Sequence, residues 1–444
     1  MSNGLRGYDS ETTGDIPLTD RGHHRIDSDP PPYEQVAAWK TNANMAQSEG
    51  ANSPQWYNFK TWSKKTWIIV GAIIAIIIVI VIVVPVEVTK NNAYPSYTTL
   101  NYTLSETYSP DSFLCYSDSF DKFDYYTDSD PTNGFVTYVS QETAESLNLT
   151  YSSSSSAVLR VDTSDADSSD SSDSSSTSST TGQTSQSGQG GQSSQGGQGG
   201  GQGGPGRKRR STATTRNSVR VTSKNTYNKG LFIFDVIHTP YGCGTWPALW
   251  LTDPNNWPAH GEIDIMEAVN NGTSGNQMTL HTASGCKMDH KRKQTGTALY
   301  ENCYWKANDE AGCGVQGNTS TFGADYNTLG GGITAVEWRS AGIRVWQFER
   351  DSIPDDITNN SPNPNSWGKA LADFPDTGCD IGSHFKNQSI IINIDLCGDW
   401  AGSTSVYSSE FGCPSNCTDY VANNPSEFTK AYWEFGAFQV YQSS

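Results

Sequence analysis

The hydrophobic positions of the chain fall into distinct regimes. Residues 1–66 are polar and show no apolar periodicity, so they present no face to bury and read as a disordered cytoplasmic tail. From Trp67 to Val84 the chain is almost uninterrupted isoleucine, valine and alanine without a charge, long enough to cross a bilayer core as a helix over 67–86. A cleaved signal peptide fits poorly, because more than 60 polar residues precede the run. Beyond about Thr212 the pattern changes again. Short β-type runs (Val219–Val221, Leu231–Ile237, Ile343–Phe348, Ser389–Leu396 and Trp433–Tyr441) are separated by clusters of Gly, Asn, Asp and Pro. No long amphipathic helix interrupts them, so the elements predict an all-β fold, a sandwich or jelly roll rather than an α/β fold.

Charge orients the predicted span. Lys60, Lys64 and Lys65 precede it and Lys90 follows it beside Glu87, which keeps the N-terminus cytoplasmic and makes the topology type II. The sequons at Asn101, Asn148, Asn271, Asn318, Asn387 and Asn416 all lie after the span, as do all nine cysteines. Both belong in an oxidising, extracellular compartment. An odd cysteine count leaves at least one thiol unpaired within the chain.

Within the tail, Pro30, Pro31, Pro32 and Tyr33 form a Pro-Pro-x-Tyr ligand for a WW-domain partner. A Ser/Gly/Gln/Asp-rich tract, bounded as 152–216, reads as a low-complexity insertion in a domain of residues 95–444, because the chain before it is too short and too aromatic to fold alone. Arg207, Lys208, Arg209 and Arg210 near its end form a dibasic protease target or a solvated charge run.

Composition narrows the partners. A net charge of −18 argues against nucleic acid and suits an uncharged substrate, while 13 Trp and 21 Tyr supply faces on which sugar rings stack. The chemistry concentrates in Gly244–Asn270, where Glu262, Asp264 and Glu267 fall within six residues. Strict alternation would place Glu262 and Asp264 on one face and Glu267 among the isoleucines on the other. A β-bulge at Ile265–Met266 returns Glu267 to the acidic face. Two glutamates then lie about 13 Å apart at Cα, within reach of the roughly 5 Å carboxyl separation of a retaining glycosidase. Three acids without the spacing of a Ca²⁺ loop make a metal site the weaker reading, and no cofactor is called for.

This segment resembles the bulged E-x-D-x-x-E signature of glycoside hydrolase family 16. The resemblance extends to DPTNGFVTYV at 130–139, SVRVTSKNTYNKGLFIFDVIHTPYGCGTWPALW at 218–250, LHTASGC at 280–286, GGGITAVEW at 330–338 and CGDWAG at 397–402, most like the fungal endo-β-1,3(4)-glucanases (laminarinase-like). It implies a curved β-jelly roll with an open cleft and a β-glucan substrate. It also implies Glu262 as nucleophile, Glu267 as acid/base and Asp264 as assisting acid. Trp250, Trp257 and Trp400 match subsite tryptophans and His281 matches a cleft histidine. Trp246 and Trp338 divide evenly between cleft and packing roles, and Arg220 is expected in a structural ion pair. Asn133 and Thr137 depart from the family pattern near the expected negative subsites. A transglycosylase of the same fold, a non-catalytic glucan-binding wall protein and a structural stalk protein are the competing readings; only the first two need the sugar-binding residues, and only the first needs the acids.

Overall fold

The computed structural model describes residues 62–78, 94–113, 122–165 and 214–443. The Pro-Pro-x-Tyr motif, the basic run at 207–210 and Cys115 lie outside the described residues, as do residues 79–86 of the expected span. What is described of that span belongs to a 15-residue helix, Lys64–Ile78, whose isoleucines are exposed. Among the described residues no helix is long and apolar enough to cross a membrane.

The domain is a sandwich of two eight-stranded sheets. In spatial order the outer sheet runs Ala372–Pro375, Gly342–Glu349, Gly332–Arg339, Gly230–His238, Tyr432–Ser443, Ala157–Arg160 and Thr150–Ser152, with Tyr102–Tyr108 also paired to Tyr432–Ser443. The inner sheet runs Thr297–Ala298, Val315–Gln316, Gln277–His281, Glu262–Glu267, Thr245–Thr252, Gln388–Leu396, Arg220–Tyr227 and Phe123–Tyr125. The longest helix of the domain among the described residues is Cys417–Asn423.

Period-two alternation builds the core between the sheets. Leu249 and Leu251, Ile263 and Ile265, and Ile390, Ile392 and Ile394 of the inner sheet join Phe232, Phe234, Val336, Val345, Phe438 and Val440 of the outer sheet in one buried cluster. Each fully buried side chain of this size contributes about 1.5–3 kcal/mol. Trp338 sits in the same core, nearly inaccessible, which assigns it to packing.

The start of the low-complexity tract requires a correction. Residues 157–160 form a strand, three of whose residues (Ala157, Val158 and Leu159) are buried, paired to both Tyr432–Phe435 and Thr150–Ser152, and Arg216–Ser218 pairs in parallel with Val136–Tyr138. The expected boundaries of 152 and 216 therefore cut into paired strands, because a four-residue apolar run beside a serine stretch carries too little pattern to stand out.

Four disulfides tie the loops to the sandwich: Cys243–Cys413, Cys286–Cys379, Cys303–Cys313 and Cys397–Cys417. Two of them fix loops that form the site. Cys303–Cys313 closes the loop carrying Trp305, and Cys397–Cys417 anchors the loop carrying Trp400.

Candidate active site

The outward face of the inner sheet floors a cleft of about 1040 Å³. Register determines which side chains reach it. Glu262 pairs with Thr252 and Asp264 with Trp250, and the register then slips so that Met266 pairs with Leu249 and Glu267 with Ala248. Ile265 is the extra residue. It and Met266 both enter the core, and Glu267 returns to the face of Glu262 and Asp264. All three acids line the cleft.

A bulge leaves ladder groups without strand partners, and Asn276 supplies them. Its Oδ1 accepts from the Glu267 backbone N–H at 2.8 Å, and its Nδ2 donates to the Ile265 carbonyl at 2.9 Å. Asn276 is fully buried. Nothing local in the sequence marks it, since an asparagine nine residues after Glu267 carries no pattern of its own.

The acids are held differently. Trp246 Nε1 donates to Glu267 Oε1 at 2.8 Å. His281, directly opposite Glu262 on the neighbouring strand, places Nε2 at 4.0 Å from Glu262 Oε1 and 3.4 Å from Asp264 Oδ2. Asp264 Oδ2 is buried without a hydrogen-bond partner among the described residues. Burial pushes the Asp264 carboxyl up to about 8. Burial first and the neighbouring Asp264 second push Glu262 and Glu267 up to about 8 as well. His281 and the Trp257 side chain oppose this at Glu262, and the Trp246 hydrogen bond opposes it at Glu267. Glu262, Asp264 and His281 also bring one donor atom each within 4.8 Å, a spacing able to hold a cation, but one that would occupy the Glu262 and Asp264 carboxylates.

Aromatic rings flank the acids along the cleft. Trp257, 41% exposed, meets Trp305 edge-on at 5.0 Å, and Trp246 meets Trp400 edge-on at 5.7 Å. Trp250 lies on the floor, its Nε1 donating to Asn393 Oδ1 at 2.8 Å. Tryptophans 250, 257 and 400 and His281 thus all line the cleft, and Trp246 joins them there rather than packing in the core.

Arg220 corrects the expectation of an ion pair. Its guanidinium lies 4.5 Å from the ring of Tyr126 and 5.1 Å from that of Trp250, and among the described residues it forms no salt bridge. Asn393 pairs with Arg220 across the strands, so the cation is directed onto the cleft face, where aromatic faces rather than carboxylates receive it. Asn133 donates to Asp399 at 2.9 Å and Thr137 faces Thr215; neither side chain lines the cleft.

Sequence reasoning did not single out Trp305, Tyr126, Asn393 and Asp395, which also line the cleft. The last two were readable: in Ser-Ile-Ile-Ile-Asn-Ile-Asp-Leu at 389–396, the polar residues 393 and 395 alternate with core isoleucines. Of the sequon asparagines, 101, 148, 318, 387 and 416 are exposed and Asn271 is half-buried. A seventh sequon, Asn359-Asn360-Ser361, lies on an exposed turn.

The XgeA-like catalytic GH16 domain matches residues 123–187 and 206–441. A probable glycosidase of Schizosaccharomyces pombe is 42% identical over 353 residues, 79% of this chain and 71% of that protein. A probable endo-1,3(4)-β-glucanase of Aspergillus flavus is 35% identical over 77% of this chain, but this chain spans only 44% of it. Among solved structures, laminarinase 16A of Phanerochaete chrysosporium, with β-glucans in both donor and acceptor sites, is 38% identical with a TM-score of 0.64, covering 77% of this chain and 100% of that one. An elongating GH family 16 β-1,3-glucosyltransferase is 35% identical with a TM-score of 0.62 and the same coverage.

Proposed function

The chain belongs to glycoside hydrolase family 16, and from that premise we propose that it is a retaining endo-β-1,3(4)-glucanase held at the cell surface by an N-terminal type II anchor. The observation that carries the catalytic part is the bulged strand, which brings Glu262, Asp264 and Glu267 onto one cleft floor between two pairs of tryptophans.

In the first step Glu262 attacks the anomeric carbon from one side of the sugar while Glu267 protonates the departing glycosidic oxygen, giving a covalent glycosyl-Glu262 ester. In the second step ionised Glu267 takes a proton from water, which displaces Glu262 and restores the β configuration. The acid must arrive protonated and the nucleophile ionised. Burial and the Asp264 charge keep a proton on Glu267 toward neutral pH. His281, directly across from Glu262, lowers its carboxyl against the same burial, and the working form is the one in which Glu262 is ionised while Glu267 keeps the proton. Paired rings on both sides of the acids accommodate sugars on both sides of the scissile bond, as an endo-acting enzyme requires.

The anchor rests on the apolar run at 67–84, the lysines before it and the sequons after it. Asn101, Asn148, Asn271, Asn318, Asn387 and Asn416 are proposed to carry glycans on the extracellular side, and Pro30–Tyr33 to recruit a WW-domain protein on the other. The test of activity is incubation with laminarin and with mixed-linkage β-glucan, following products by mass. Short oligosaccharides that Glu262→Gln no longer releases support the hydrolase; binding without turnover refutes it. Likeness to the elongating glucosyltransferase and to a mutant laminarinase 16A that cyclizes laminariheptaose favours a second reading. In it an acceptor sugar, seated beyond the acids, replaces water in the second step, and products longer than the substrate would identify it.

A further inference from the structure

We propose that Trp246 is a positioning residue for the acid/base: its indole N–H holds Oε1 of Glu267, which leaves Oε2 as the oxygen that carries the transferable proton. The inference rests on the reading of Glu267 as acid/base. A carboxylic acid free to rotate presents either oxygen, and only one geometry delivers the proton. The 2.8 Å bond from Trp246 Nε1 removes that choice.

The surroundings of Trp246 support a built device. The Cys-Gly-Asp-Trp-Ala-Gly loop at 397–402 presses on the indole from two directions. Gly398 lies so near that a Cβ there would come 3.0 Å from Trp246 Cε3, and its φ of +62° suits glycine. Trp400 meets the ring edge-on at 5.7 Å. Cys397–Cys417 ties that loop down, and Gly134 bridges Cys397 from the other side. Trp246 itself is half-buried on the floor strand, where its ring could have packed without making this bond. A sugar stacking on Trp400 would therefore rest on a ring that itself abuts Trp246.

The titratable groups around Glu267 are Glu262 and Asp264 on its own strand, His281 on the next, Asp395 on the strand beyond Trp246, and Asp309, Glu310 and Glu410 at the cleft rim. None of these is altered by Trp246→Phe, which removes the donor and keeps an aromatic ring. A hydrogen bond to a charged group stabilises the ionised form, so its loss favours the protonated acid. In the full-length protein, Trp246→Phe is expected to move the alkaline limb of kcat/KM on laminarin upward by about one pH unit. It should also lower kcat at least tenfold while KM changes less than twofold. An unmoved limb, or a loss confined to KM, overturns the proposal.

Should the variant not fold, the wild-type protein supplies the same test by NMR. The Trp246 indole N–H signal should titrate with the Glu267 inflection, and Glu267→Gln should remove that inflection; a signal that does not move with pH overturns the coupling. This titration needs no turnover. If the wild type hydrolyses no glucan, the catalytic reading fails while the titration still decides the link between Trp246 and Glu267.

Discussion

Replacing Asp264 by Asn should stabilise the protein at neutral and alkaline pH while impairing it as an enzyme. Asp264 is 4% exposed and one of its oxygens is buried without a hydrogen-bond partner among the described residues. Burial holds its carboxyl up to about 8, whereas in the unfolded chain an Asp titrates near ~3.9. Because the folded pKa is the higher one, the folded state binds a proton that the unfolded chain has released. The stability this provides is fully present below about pH 4 and is lost as pH rises toward about 8. A shift of about four units at ~1.36 kcal/mol each sets a ceiling of ~5 kcal/mol. The three acids sit together, so that ceiling is shared and the part removed with Asp264 alone is smaller. An Asn of the same shape carries no such penalty. Thermal unfolding should therefore show Asp264→Asn melting several degrees above wild type at pH 8 and close to it at pH 4. Activity should fall about tenfold or more, since the acid between the two proposed catalytic glutamates is gone. A variant that melts below wild type at pH 8, or whose difference is the same at both pH values, would refute the reasoning.

Other perturbations follow from the same geometry. Asn276→Leu strands the Glu267 N–H and the Ile265 carbonyl in the interior, so denaturant unfolding should show a loss of about 2–4 kcal/mol and assays a kcat lowered more than stability explains. Arg220→Met removes a cation lying over two rings, each contact worth ~0.5–2 kcal/mol; steady-state kinetics on laminarin should show KM raised about tenfold with the fold intact, and Arg220→Lys should restore only part of it. Peptide mapping of protein secreted from a eukaryotic host should find glycans at the exposed Asn101, Asn148, Asn318, Asn387 and Asn416. An unmodified set would contradict the extracellular placement.

The fold was legible where alternation was strong. The aliphatic runs at 231–237, 343–348, 389–396 and 433–441 lie within observed strands of the sandwich, because each has one face that only a core can accept. The bulge was legible for the same reason in reverse: without it Glu267 would have shared a face with isoleucines. Residues whose role depends on distant partners were not legible. Tyr94 and Tyr97 donate to Asp373, 279 and 276 residues away, and Arg344 stacks over Tyr97 at 3.9 Å, none of which is encoded in local pattern. Arg220 shows how a reasonable default fails, since an arginine on a strand usually meets a carboxylate, and here register places Tyr126 and Trp250 against it. Trp305 lines the cleft from a loop that Cys303–Cys313 closes, a pairing that nine cysteines leave open.

The central claim, that Glu262 and Glu267 perform a double displacement, is tested most directly by trapping the intermediate. A 2-deoxy-2-fluoro laminari-oligosaccharide with a good leaving group slows both steps, the second more, so the glycosyl-enzyme accumulates for peptide mass spectrometry. The account predicts a label on Glu262, none in Glu262→Gln, and β-configured products from natural laminarin by NMR. A label on Glu267 or Asp264, or release of the α anomer, would contradict it.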